Sequence, residues 1–120
     1  MAAPNMREIT TITGKTAGQA VGVSATAVVT NSAASGKVFK VNSLIIANVD
    51  GTNDADITVD FYDNATTAYH IAKTVTVPAD STLVLITKDA PIYLEENDSL
   101  RLTASAASDL EAVCSYEEIS

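Results

Sequence analysis

The chain has no tryptophan, one cysteine, one histidine, three prolines and five glycines among its 120 residues. Each shortage removes a class of protein. A lone thiol, Cys114, closes no internal disulfide, so the fold rests on its core rather than on the bridges of small secreted domains. With two phenylalanines and four tyrosines as its only aromatics, the chain lacks the stacking platforms on which sugars and unpaired bases are held. A single histidine, His70, ties any Ser–His–acid relay to one position, and Ser81 stands in no recognisable nucleophile motif with it. No apolar run approaches the roughly 20 residues of a membrane span. No basic segment followed by an apolar stretch opens the sequence, so a cytosolic origin is expected and no membrane partner.

Positive charge is scarce as well, seven Lys and Arg against fifteen acids, for a net charge of −8. It is also unevenly placed. Residues 1–49 hold Arg7, Lys15, Lys37 and Lys40 against Glu8 alone, a net of +3, and the remainder carries −11. So acidic a body repels phosphate backbones, and nucleic acid is not an expected partner.

What the chain has in quantity is β-branched side chains: fifteen Thr, twelve Val and nine Ile against seven Leu. That balance suits pleated, half-buried surfaces, and the length suits one domain, so an all-β antiparallel sandwich of about seven to nine strands is expected, Ig-like or jelly-roll-like. The organising stretch is Val38–Tyr62, two apolar runs joined by Asp50-Gly51-Thr52-Asn53-Asp54, which reads as a β-hairpin. Leu44–Ala47 and Leu83–Ile86 are apolar on both faces and read as the two central strands. Ile57, Val59 and Phe61, then Leu100, Leu102 and Ala104, and finally Leu110, Ala112, Cys114 and Tyr116 alternate with polar partners, giving strands with one wet face. Pro91–Leu94 is a short edge-like strand. About seven strands follow Val38.

Residues 1–36 differ in kind, because Ala, Thr, Ser and Gly supply 21 of them. Ile9–Thr13 and Val21–Val29 keep strand character, but the segment has little apolar surface to offset its ordering entropy. We therefore expect an extended N-terminal arm over residues 1–36 and an independently folding sandwich over 37–120. Arg7, Ile9, Ile12, Lys15, Val21, Val23 and Val28 are the arm's candidate contacts with a partner, made by main-chain pairing and ion pairs.

The chemistry-bearing residues are few. Asp50, Asp54 and Asp56 place three carboxylates within seven residues, the oxygen-rich grouping a hard cation selects, yet glycine is misplaced for a calcium loop and no Glu follows at its twelfth position. A solvated loop is the plainer reading of the trio. Cys114 shares its phase with core residues and reads as a small buried hydrophobe. No catalytic residue, cofactor or enzymatic activity is expected.

The segments NSLIIANVDGTNDADITVDFYDN, TVTVPADSTLVLITKDAPIYLEENDSL and RLTASAASDLEAVCSYEEIS, spanning most of residues 37–120, resemble small structural proteins of tailed bacteriophages, especially marine phages of cyanobacteria. The resemblance implies a capsid decoration or cement protein that sits on the assembled head within the virion and clamps neighbouring subunits. Its implied partners are the major capsid protein or other virion subunits and further copies of itself, a homotrimer being favoured. The alternatives are a structural adaptor at neck, tail or fibre base, and a receptor- or glycan-binding module.

Overall fold

The computed structural model describes residues 4–120; the first three residues of the expected arm lie outside the described residues. Nine strands follow in chain order: β1 (Ile12–Ala20), β2 (Thr26–Thr30), β3 (Val38–Asn48), β4 (Ala55–Asp63), β5 (Thr67–Val77), β6 (Thr82–Ile86), β7 (Ile92–Leu94), β8 (Ser99–Ala104) and β9 (Leu110–Ile119). They form two antiparallel sheets, one ordered β1-β9-β3-β6 with β7 also beside β3, the other ordered β2-β8-β4-β5. The described residues contain no helix.

The pairings nest. β4 pairs with β5, β3 with β6 and β7, β2 with β8, and β1 with β9. The chain is thus one long hairpin, wrapped so that successive strand pairs fall alternately in the two sheets, which is the strand order of a jelly roll. The hairpin turns at Asn64 and Ala65, whose φ values of 50° and 52° and closing bond from Thr66 N–H to Asp63 O at 3.0 Å define a turn matched to the twist of its strands.

Between the sheets, Leu44 and Ile46 of β3 meet a core that includes Ile57 and Val59 of β4, Leu100 and Leu102 of β8, and Leu94, Leu110 and Cys114, all essentially without solvent contact. The alternation expected for β4, β8 and β9 is present. Buried polar groups serve as staples. Asn31 donates from Nδ2 to Lys37 O at 2.9 Å and Leu94 O at 3.0 Å, and Asn48 donates to Asn53 O at 3.0 Å and Val77 O at 2.8 Å. Asp98 accepts from Asn64 N–H and Glu95 N–H, both at 2.9 Å. Buried groups satisfied in this way fix loops to the sandwich ends instead of destabilising them.

Three expectations are corrected. Val38–Tyr62 is not a hairpin, because β3 and β4 lie in different sheets and residues 49–54 cross between them. Each strand buries one face in the common core, β3 from one sheet and β4 from the other. Leu83–Ile86 is not central: β6 is an edge strand whose Val84 is 53% exposed while Ile86 is buried. An apolar run signals a doubly covered strand only if a layer covers its outer face, and among the described residues none covers this one.

The third concerns the arm. β1 pairs with β9 from Ile12↔Ile119 to Ala20↔Glu111, β2 pairs with β8, and Val21 and Val29 are buried in the core. Residues 12–30 therefore complete both sheets of their own chain. Main-chain pairing needs no large side chains, so a composition too small and polar to build a core still suffices for edge strands laid on one.

Candidate interaction surface

The expected cation loop lies at one end of the sandwich, and its carboxylates turn to separate partners. Asp50 accepts from Thr52 N–H at 2.8 Å and Asn53 N–H at 3.2 Å, and these bonds, the Thr52 amide foremost, hold its pKa below the usual carboxylate value. Asp54 accepts from Ala79 N–H at 3.1 Å, and Asp56 accepts from the Thr76 hydroxyl at 2.8 Å. Asp109 joins the same end, its pKa raised by desolvation and then by the charge of Asp50. Among the described residues no three His, Cys, Asp or Glu side chains converge as metal ligands would. With exposed Asp80, whose N–H donates to Asp50 O at 3.2 Å, this end is a pole of five aspartates.

The residues expected to bind a partner are dispersed. Arg7 and Val23 are exposed, Ile9 and Val28 are half-buried, and Val21 is in the core. Ile12 is 56% exposed at the start of β1. Lys15 is engaged within its own chain, its ammonium 3.0 Å from Glu118, which also receives Lys37 at 3.0 Å. Burial pushes the Glu118 pKa up, but the hydrogen bonds and charges of both lysines outweigh it and the net shift is downward. His70 is exposed on β5 opposite Asp60, whose oxygens are already taken by Arg101. Cys114 has no solvent contact, and desolvation raises its thiol pKa to about 11.

The outward faces of the two sheets differ. On the four-stranded sheet the register lines up Ala27, Arg101, Asp60 and His70 across β2, β8, β4 and β5. Arg101 bonds Asp60 from Nε at 2.9 Å and Nη2 at 3.3 Å, and its guanidinium lies 3.7 Å from the centre of the Tyr62 ring. That pair is compensated twice, by the bidentate contact and by the aromatic face.

On the five-stranded sheet the register instead lines up Val84, Ile45, Val113 and Gly18 across β6, β3, β9 and β1. Val84 and Val113 are 53% and 44% exposed. A parallel row sets Tyr93, Lys40, Glu117 and Gly14 side by side. Between the rows the edge of β3 changes partner, from β6, whose pairing ends at Leu44↔Ile86, to β7, whose pairing begins at Val41↔Ile92. Among the described residues no strand pairs with Asn42 and Ser43 on that edge, and a shallow depression of about 530 Å³ opens there, its lining including Lys40, Asn42, Ile45, Val84, Lys88 and Glu117. A smaller one of about 370 Å³ lies where Pro4 and Met6 pack beside Val38, Phe61 and Tyr93.

Sequence reasoning did not single out Val84, Val113, Lys40 or Lys88. A signal was present for the valines, since Val113 falls at the outward phase of β9 together with Glu111 and Ser115. For the lysines there was none, because their meeting depends on the change of partner between β6 and β7.

No protein-family model matches the chain, and the comparison with curated proteins finds no match. Among solved structures, one from work on Bacillus endospore appendages, described as a novel family of disulfide-linked pili, is similar in fold with a TM-score of 0.54 and 15% sequence identity. The likeness covers 98% of this chain and 95% of that one. At that identity it speaks for the shared architecture alone.

Proposed function

We propose that this chain is a non-enzymatic structural subunit of a multi-copy assembly, specifically a tailed-phage virion protein of the capsid decoration type, that meets its neighbouring subunits through the outer face of its five-stranded sheet. The observation that carries the reading is on that face: a Val84–Ile45–Val113 row, its two valines 53% and 44% exposed, beside a depression bordered by Lys40 and Lys88. Exposed apolar rows rimmed by charge are features of contact surfaces. The virion assignment comes from the sequence resemblance over residues 37–120, and a small jelly roll with a covered core and exposed edges is compatible with it.

A second reading, a subunit of a protein filament, is favoured by the likeness in fold to the endospore pilus protein. That filament is described as disulfide-linked, whereas the one thiol of this chain is fully buried with a pKa raised to about 11. A filament of this chain would not be joined through that thiol.

The test is to mix the purified protein with phage heads lacking decoration and to count bound copies by quantitative mass spectrometry after sedimentation. Saturable binding at one fixed ratio to the capsid subunit is expected. No binding to heads, combined with recovery of the chain only at tails or in filaments, would overturn the head assignment.

A further inference from the structure

We infer that the depression between β6 and β7 is a receptor for the aspartate pole of a second copy of this chain. The inference rests on the reading as an assembly subunit and names the neighbour that the five-stranded face meets.

Two cations border the depression, Lys40 and Lys88, with Glu117 the one carboxylate among the lining residues. The three ion pairs among the described residues use Lys15, Lys37 and Arg101; neither Lys40 nor Lys88 takes part. In a chain of net charge −8 with seven Lys and Arg in all, two of them border this depression outside any ion pair, and Glu117, opposite Lys40 on β9, is the one carboxylate set against both. The lining also holds Asn42 Oδ1, a buried acceptor without a hydrogen-bond donor. Such atoms are rare in folded proteins and ask for a partner. Asn42 is the extra residue of a bulge, since the β3–β9 register steps from Val41↔Tyr116 to Ser43↔Ser115, and bulges re-aim side chains at places of contact. The occupant must therefore bring carboxylates for the two ammonium groups. An exposed acidic loop supplies them.

The same molecule carries such a loop. Residues 51–54 and Asp80 are exposed, and at the end of the sandwich they are placed to enter a shallow depression on a neighbour. Two such poles repel each other, so a pole finds complementary charge only on a different part of a neighbour. A contact between unlike surfaces is heterologous: repeated, it closes a ring or runs into an open chain. Ile45 and Val84 give its floor apolar area, while the charges set its register.

The test uses the full-length protein without any particle, so its outcome is independent of head binding. Sedimentation velocity is run at concentrations up to about 1 mM, in about 20 mM and about 500 mM salt. The wild type is expected to associate at low salt, with the apparent dissociation constant rising at least tenfold at high salt. K40E/K88E and, separately, D54K/D80K should each be monomeric, and an equimolar mixture of the two should associate again, because each supplies what the other lacks. K40Q/K88Q, with unchanged circular dichroism, serves in place of K40E/K88E if charge reversal disturbs folding, and should also be monomeric. A wild type that stays monomeric at low salt, association that survives K40E/K88E, or a mixture that does not associate would each overturn the inference.

Discussion

The outer faces of the two sheets solve the same electrostatic problem in opposite ways. On the four-stranded face Asp60 is 4% exposed, and Arg101 with Tyr62 closes over it, so the charge is cancelled inside the subunit. On the five-stranded face Lys40 and Lys88 border the depression beside exposed Val84 and Val113, and among the described residues neither joins an ion pair. A surface whose polar groups are internally paired has little to gain from a partner, whereas one with unspent donors and apolar area gains from being covered. The same protein thus carries one finished face and one open face.

Removing residues 1–34 breaks the comparison most severely, since it strips β1 from one sheet and β2 from the other. It exposes the edges of β9 and β8 and takes Val21 and Val29 from the core. We expect no cooperative thermal transition in the truncated chain, measured by far-ultraviolet circular dichroism; a sharp transition would restore the division into arm and sandwich.

Arg101→Ala damages the finished face next. It leaves the Asp60 carboxylate buried without its partner, at a cost of about 3 kcal/mol, the lower end for a broken buried pair because Arg101 is partly exposed. Calorimetry should show the melting temperature falling by on the order of 10 °C.

Glu118→Gln tests a pair that belongs to neither outer face. The folded-state pKa of Glu118 is lowered, so its contribution to stability is present above its ordinary value near 4.5 and is lost as pH falls through the lower folded value. The variant should be slightly less stable than the wild type at pH 7, and the two denaturation curves should converge as the solution is acidified to below that folded value. A gap that persists in acid would assign the effect to packing.

The smallest stability effect is expected where the largest effect on association lies. Val84→Ser with Val113→Ser changes exposed side chains, so unfolding in urea should shift by no more than about 0.5 kcal/mol. Sedimentation should nevertheless show weaker self-association than in the wild type.

How much of this was legible in the sequence depends on what each feature rests on. The seven strands after Val38 and the buried phases of Ile57, Leu102 and Cys114 are local, written in the alternation of apolar and polar residues, and the structure reproduces them. The nested pairing is not local. Whether β3 pairs with β4 or crosses the core to face it is decided by the whole set of strands, and the apolar runs of both are compatible with either. Strand order likewise decides that Leu83–Ile86 is an edge, leaving Leu85 only half-buried, and that Thr-, Ala- and Gly-rich residues 12–30 find partners in β8 and β9. The Asp50–Asp56 loop was readable as acidic, but the diverging hydrogen bonds of its carboxylates were not. The open face was the least legible, because Lys40 and Lys88 are 48 positions apart in the chain and meet only through the gap between β6 and β7.

Amide hydrogen exchange, compared between dilute protein and concentrated protein at low salt, tests the open face most directly. Residues 87–90 beside the depression and 51–54 at the acidic pole are exposed in the free subunit, so they report any contact. Both segments are expected to exchange more slowly on association while residues 73–76 of β5, at the edge of the four-stranded sheet, exchange unchanged. Slowing confined to 73–76, with 87–90 and 51–54 unaffected, would contradict it.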